Sequence, residues 1–198
     1  MKESKSEELV KILPITYYGD PQLEQPSEAV GELSDEIREL ANDMLATMYE
    51  NNGIGLAGPQ VGRNIRIIVV DIPLAEDGLP FDASPGERML LPRMPLALID
   101  PEVSPITSET ETAEEGCLSF PNIYGDVERP VTVMLKTRLL NGEMVQTACG
   151  GLLGRCLQHE IDHLNGTVFV NRMKEPDRAE IEGALKKLRK QTRKKLKS

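Results

Sequence analysis

Long apolar runs, paired cysteines and histidines are scarce or missing in this sequence. Its three cysteines form no paired framework, which argues against a disulfide-stapled scaffold and fits a reducing compartment. No apolar run approaches the roughly 18 residues that a membrane-spanning helix needs, and the charged start of the chain does not resemble a signal peptide. We therefore expect a soluble protein with no membrane partner, in the cytoplasm or, after removal of a targeting segment, in the matrix or stroma of an organelle.

Acidic residues are absent from residues 186–198, which we call the basic tail. The basic tail holds eight of the 23 lysine and arginine side chains, so the residues before it carry 15 basic and 32 acidic side chains, a net charge of −17. A basic block at one end of a chain is typical of a protein with an anionic partner, and a solvated helix end is the alternative. Apolar residues at near-helical spacing predict a helix that docks this stripe and points its charge outward. They are Ile181, Leu185, Leu188 and Leu196.

The chain is long enough to bury one sizeable core, since it has 198 residues of which 39% are hydrophobic. We predict a single domain over residues 1–185, followed by the basic tail. Residues 71–95 contain five prolines, which predicts a long surface insertion between two buried strands at residues 65–70 and 96–99.

Residue spacing also predicts a helix and a hairpin. Ser34 is a plausible N-cap for a helix whose apolar residues recur every three or four positions and which ends at residues 51–53. Residues 131–139 alternate apolar and polar side chains, and Asn141-Gly142 predicts a type I′ turn into a second strand at residues 143–148.

Residues 53–62 alternate apolar residues with glycines and are too glycine-rich for a good strand or helix. A loop that lines a peptide cleft is one interpretation, and a phosphate-binding loop is another. The Lys-Ser/Thr pair of a P-loop is missing, and no helical pattern follows, so we favour the peptide cleft.

The two histidines of the chain, His159 and His163, are four residues apart with Glu160 between them. On a helix this spacing places both imidazoles on one face, together with Leu152 and Cys156. Two imidazoles presented in this way can bind one divalent metal, and the glutamate can reach a water molecule. A chance pair of surface histidines is the alternative, and a metal site still needs a third ligand.

Three separated motifs together resemble the peptide deformylase family. They are residues 53–60 (Gly-Ile-Gly-Leu-Ala-Gly-Pro-Gln), 115–119 (Glu-Gly-Cys-Leu-Ser) and 158–166 (Gln-His-Glu-Ile-Asp-His-Leu-Asn-Gly), in the order and spacing of that family. The resemblance extends from about Ile12 to Met173. It departs at Gly58, where alanine or serine is usual, and at Gly154, where alanine is usual on the helix.

We therefore predict an α+β fold in which mainly antiparallel strands pack around a central metal-binding helix, with an N-terminal and a C-terminal helix. The resemblance implies a metal-dependent hydrolase that removes the N-formyl group from the N-terminal formylmethionine of newly synthesised proteins. Cys117, His159 and His163 would be the ligands of one divalent metal. These ligand types are compatible with zinc, iron(II), nickel or cobalt, and intrinsic affinity favours zinc over iron. The resemblance implies iron(II).

The resemblance also assigns roles around the metal. Glu160 would take a proton from water and pass it to the leaving amine. The side-chain amide of Gln60 and the backbone N–H of Leu118 would stabilise the oxyanion. Ile54 and Gly55 would pair with the substrate backbone. Leu152 and Cys156 would line the pocket for the methionine side chain of the substrate. The terminal helix would hold the enzyme near the ribosome, and we expect the basic tail to bind ribosomal RNA.

Two other function classes share parts of this pattern. A zinc endopeptidase would use a third His or Glu as ligand, but the sequence has no third histidine and offers Cys117 instead. A homologue that only binds would be expected to lack Glu160 or a ligand. Among single residues, Cys117 could be an inert thiol and Gln60 a surface amide. Cys149 and Cys156 are expected to be buried thiols, Asp162 to form only a surface ion pair, and Tyr124 to line the cleft rim or to pack.

Overall fold

The structure is a computed structural model that describes residues 10–74, Glu76 and residues 78–197. The charged start of the chain and the last residue of the basic tail, which we interpreted above, lie outside these residues. The described strands are β1 (Gly55–Ala57), β2 (Ile67–Val70), β3 (Leu96–Pro105), β4 (Thr110–Gly116), β5 (Tyr124–Pro130), β6 (Val133–Leu139) and β7 (Met144–Cys149). The described α-helices are α1 (Asp35–Glu50), α2 (Pro85–Leu90), α3 (Gly151–Leu164) and α4 (Glu175–Lys195).

Strand β2 lies inside a five-stranded sheet with the order β1-β2-β3-β6-β7, in which each neighbouring pair is antiparallel. Its four β-branched residues are buried on both faces, as suits an Ile/Val run. Because side chains alternate along a strand, Ile67 belongs to a buried cluster with Met44 of α1, and Ile68 belongs to a second cluster with Leu157 of α3. The fold is therefore α+β with mainly antiparallel strands, as predicted, and α1 and α3 cover opposite faces of the sheet.

A separate antiparallel pair, β4–β5, lies beside this sheet. Its Val127 belongs to a cluster with Phe120, Phe169 and Leu185 of α4. This second core explains how α4 docks: Leu185 is buried, and its neighbours Ile181 and Leu188 are partly buried against the same cluster. The C-terminal helix was predicted correctly, although Leu196 is exposed and does not join the apolar stripe.

Helix α4 is continuous from Glu175 to Lys195, so the boundary at residue 186 marks a change of charge within one helix. Whether the two parts act as separate units stays a prediction. No helix in the described part of the chain is both long and apolar enough to cross a lipid bilayer.

Two local predictions were wrong. Residues Gly55–Ala57 form a strand paired with β2, because Leu56 and Ala57 are buried in the sheet. Gly55 is needed because Glu160 lies against it. The β6–β7 hairpin has a three-residue loop at residues 140–142. The last paired residues are Leu139 and Glu143, because the Leu139 N–H donates to the Glu143 carbonyl at 2.9 Å. Gly142 has a positive φ of 86°, whereas Asn141 does not have the positive φ that a type I′ turn requires.

The predicted surface insertion is exposed at Phe81 but buries part of its second half, including Leu90 and Leu91. Ser84 and Glu87 form a capping box that starts α2, and Leu90 is fully buried in the core between the sheet and α3. The prolines delimit a short helix here, and the apolar Leu90-Leu91 pair supplies the core contact that composition alone did not indicate.

The two glycines that depart from the resemblance lie against neighbouring backbone. A Cβ at Gly58 would lie 2.7 Å from the carbonyl oxygens of Arg63 and Ile65, and a Cβ at Gly154 would lie 2.8 Å from the Cys149 carbonyl oxygen. Alanine at either position therefore requires the backbone to move.

We predict that Gly154→Ala lowers the free energy of unfolding by about 1–3 kcal/mol, because the added methyl group overpacks the junction between β7 and α3. The control is Gly183→Ala on α4, where a Cβ meets no atom within 4 Å. The control should raise stability by up to about 1 kcal/mol through helix propensity. Equilibrium denaturation measures both values, and equal stabilisation by the two alanines would contradict this explanation.

Candidate metal centre and active site

Three predicted ligands meet between the β4–β5 hairpin and α3. Cys117 follows the last residue of β4, and the helical spacing of His159 and His163 directs both rings to the same side of α3. The candidate ligand atoms of these three residues lie within 4.8 Å of one another. Cys117 Sγ is 3.2 Å from His163 Nε2. A thiolate and two imidazoles at this separation suit a divalent metal with tetrahedral preference.

Glu115 fixes the orientation of His159. Its carboxylate lies 2.9 Å from His159 Nδ1, so it accepts the Nδ1–H and leaves Nε2 as the ligand atom. The same carboxylate accepts two hydrogen bonds from Arg129 and a third, 3.0 Å long, from Arg155. Burial by itself would raise the pKa of Glu115, but the hydrogen bonds from Arg129 and His159 lower it to about 2. Glu115 is therefore ionised whenever the protein is near neutral pH.

Arg129 links this carboxylate to α3. Its guanidinium donates to Asp162 at 2.9 Å, and Arg172 donates to the other oxygen of Asp162 at 2.7 Å. We expected Asp162 to form only a surface ion pair, and this was wrong, because Asp162 is 5% exposed. It occupies the inner side of α3, where a charge needs a partner.

Glu160 is buried beside the ligand cluster. One of its oxygens, Oε2, is buried without a hydrogen-bond partner among the described residues. The other lies so close to Gly55 that a Cβ there would be 2.5 Å away, which is why β1 needs a glycine. Burial raises the pKa of Glu160 to about 7, and the charge of Glu115 acts in the same direction, whereas His159 and Arg129 lower it. An unpartnered carboxylate with this pKa beside Cys/His/His ligands fits a site that holds a metal and moves protons.

Gln60 contacts the ligand Cys117 through its side-chain amide. Its Oε1 accepts the Ala57 N–H at 2.8 Å, which turns the amide nitrogen toward Cys117 Sγ and Ser119 Oγ, each 3.3 Å away. Gln60 is 1% exposed, so the alternative of a surface amide is excluded. Leu118, the residue after Cys117, lines the same space.

These groups open into a cavity of about 620 Å³, which we call the cleft. Its lining contains the remaining predicted substrate residues, Ile54, Gly55, Leu152 and Cys156. Strand β1 is an edge strand, because it pairs with β2 alone in the described sheet. A larger cavity of about 750 Å³ is lined by Arg129 and Asp162 but by none of the three ligands, so it is not the candidate active site.

Cys149 and Cys156 are buried, as predicted. Tyr124 is 55% exposed, lines the cleft and covers Gly116, where a Cβ would lie 2.7 Å from its ring.

Sequence reasoning assigned no role to Arg129 or Arg155. Neither residue carries a local signal, since their hydrogen-bond partners lie 14 to 44 residues away along the chain.

Comparison with known proteins gives one consistent family. The family model described as polypeptide deformylase matches residues 12–179. Peptide deformylase from Opitutus terrae is 42% identical over 183 residues, which covers 91% of this chain and 95% of that relative. Peptide deformylase 2 from Gloeobacter violaceus is 47% identical over 161 residues, which covers 81% of this chain and 79% of that relative.

Solved structures agree with these sequence matches. Peptide deformylase from Synechococcus elongatus, in complex with actinonin, is 41% identical and aligns with a TM-score of 0.75 over 91% of this chain and 90% of its own. Peptide deformylase from Ehrlichia chaffeensis is 34% identical and aligns with a TM-score of 0.78 over 94% of this chain and 99% of its own. The similarity therefore extends over the fold as well as the motifs.

We predict that Glu115→Gln lowers the affinity for Zn²⁺ or Co²⁺ by about 10- to 100-fold, because the partner that orients His159 and increases its basicity is weakened. Glu111→Gln is the matched control, since Glu111 is an exposed carboxylate on the same strand. Competition with a chromophoric chelator measures both affinities, and circular dichroism checks folding. Equal affinities in the two variants would rule out this role.

Proposed function

The chain belongs to the peptide deformylase family, and from that premise we propose how its own residues remove the N-formyl group from newly synthesised polypeptides. The family catalyses metal-dependent hydrolysis of N-formylmethionyl peptides. The observation that carries the assignment of roles is the meeting of Cys117, His159 and His163 beside the buried carboxylate of Glu160, which lines the cleft with Cys117 and His159.

Cys117, His159 and His163 would hold one divalent metal ion. When bound, the ion supplies Lewis acidity and lowers the pKa of water. Two neighbouring residues contact the ligands. Glu115 fixes the tautomer of His159, and the Gln60 amide nitrogen lies 3.3 Å from the Cys117 sulfur.

Glu160 would act as the proton carrier. The buried carboxylate, whose pKa is raised by burial, would accept a proton from water and return it to the amine that leaves when the formyl C–N bond breaks. The products are formate and the free N-terminus. A carboxylate with an ordinary pKa would return the proton less readily at neutral pH.

Gln60 and Leu118 would stabilise negative charge on the formyl oxygen. The amide nitrogen of Gln60 is held by the bond from the Ala57 N–H to its carbonyl oxygen, so little reorganisation is needed when charge develops. The backbone N–H of Leu118 would be the second donor. The unpaired edge of the sheet at Ile54 and Gly55 would pair with the substrate backbone, and Leu152 and Cys156 would line the methionine pocket.

We predict that Glu160→Gln retains its metal but loses about 100- to 10,000-fold in kcat, since the ligands remain and the proton carrier does not. A formyl-Met peptide, the unformylated peptide and an internal peptide bond should be tested together, with Glu128→Gln as the control for an exposed carboxylate. Full activity in metal-loaded Glu160→Gln would refute the role. Cleavage of the internal bond by the wild type would favour an endopeptidase, and metal binding without turnover of any substrate would favour a binding protein.

We propose that the native metal is iron(II). The ligand set also accepts zinc, nickel and cobalt, and the affinity order favours zinc, so the proposal rests on the family. Protein purified without oxygen should contain iron and should be fastest in its iron(II) form. Metal analysis and activity after exchange with each ion test this, and a zinc form as fast as the iron form would refute it.

We propose that the basic tail binds ribosomal RNA, in whichever cytoplasmic or organellar compartment makes formylated proteins. Deleting the tail would also remove the buried Thr192, so charge reversal is the sharper test. Lys186, Lys190 and Arg193 lie on one flank of α4. Reversing these three charges should abolish co-sedimentation with ribosomes at about 50 mM salt, and binding of the wild type should weaken by powers of ten toward about 200 mM. Unchanged co-sedimentation would leave a solvated helix end as the explanation.

A further inference from the structure

A second cavity of about 640 Å³, which we call the groove, opens between α4 and the loop after Cys117. Tyr17 and Pro121 line both the groove and the cleft. The two cavities therefore share a wall, and one continuous surface runs from the cleft to the basic tail.

Helix α4 presents different residues on its two flanks. Leu188, Gln191 and Lys195 recur at i, i+3 and i+7 and line the groove. Leu185 is buried against the body of the protein, and Thr192, which is also buried, lines the groove next to it. Lys186, Arg193 and Lys197 recur at i, i+7 and i+11, which places them on the other flank, whereas Lys190 lies one turn before Lys194, which lines the groove. The three charges whose reversal tests RNA binding, Lys186, Lys190 and Arg193, thus do not line the groove.

The groove combines an apolar floor with positive charge. Pro121, Leu188 and the ring of Tyr17 supply the floor, and Lys194 and Lys195 supply the charge. Lys195 Nζ lies 6.0 Å from the centre of the Tyr17 ring, which is the junction of the two cavities. Because the residues before the basic tail carry a net charge of −17, this positive wall is a local exception on an acidic protein.

We propose that the groove continues the cleft and binds residues of the formylated polypeptide downstream of its first few, with a preference for acidic side chains. The inference rests on the proposed function, because the substrate is a polypeptide whose length exceeds the cleft and must leave it along some surface. Apolar side chains match the floor, and carboxylates match the two lysines. A nucleic acid fits less well, since the floor offers no positive charge to a phosphate backbone.

The test compares formyl-Met-Ala-Ser with the same peptide extended by Gly-Ser-Gly-Ser or by Glu-Ser-Glu-Ser. The quantity measured is the ratio of kcat/KM for the acidic over the neutral extension at low salt, in the metal-loaded full chain. We expect a ratio of about three or more in the wild type, carried by KM, as two exposed charge pairs would give. The ratio should fall to about one or below in the Lys194→Glu, Lys195→Glu double variant.

The matched control is the Lys186→Glu, Arg193→Glu double variant, which changes the net charge equally on the other flank and should keep the wild-type ratio. Equal loss in both variants would show general attraction to the tail, and a wild-type ratio of one would also overturn the proposal. If the Lys194/Lys195 variant loses ribosome co-sedimentation while its ratio is unchanged, the groove belongs to RNA. Turnover of the short peptide tests the proposed function separately, and peptide affinity by fluorescence anisotropy gives the same ratio independently of turnover.

Discussion

The buried guanidinium of Arg129 is the interaction on which the rest of the site depends. It reaches from β5 to Glu115 on β4 and to Asp162 on α3. Glu115 lies two residues before Cys117, and Asp162 lies between the two histidines, so one side chain connects both parts of the chain that supply ligands. Removing one partner from a buried ion pair costs about 3–5 kcal/mol, because the other charge stays behind unpaired. The hairpin and the helix are thus held together by the same group that orders the ligands.

The sheet supplies the other half of the arrangement. Helix α3 packs on β2 through residues such as Leu157. This packing brings β1 close to Glu160, and the absence of a side chain at Gly55 leaves room for the Glu160 carboxylate. An open strand edge, a buried carboxylate and a ligand cluster consequently line one cleft. Hydrolysis of an amide at the end of an extended peptide needs these three features next to one another.

Local patterns predicted much of this from the sequence. The spacing of His159 and His163, the α1 periodicity and the α4 stripe each depend on residues within a few turns of one another, and the structure contains those elements. Contacts between distant parts of the chain carried no such signal. Arg129 meets partners 14 and 33 residues away, so neither its role nor the burial of Asp162 was visible. Strand β4 was missed because its pattern is mostly polar and it buries little except Glu115. Site roles came from the family resemblance and stay proposals.

The most direct measurement of this account is a double-mutant cycle between Arg129→Met and Asp162→Asn, read out as the free energy of unfolding of the metal-free protein. If Arg129 joins the hairpin to α3, each single variant should be strongly destabilised, and the double variant should be more stable than additivity predicts by at least about 1 kcal/mol. Additive losses, with a coupling energy near zero, would contradict the claim that this buried charge holds the two ligand-bearing segments together.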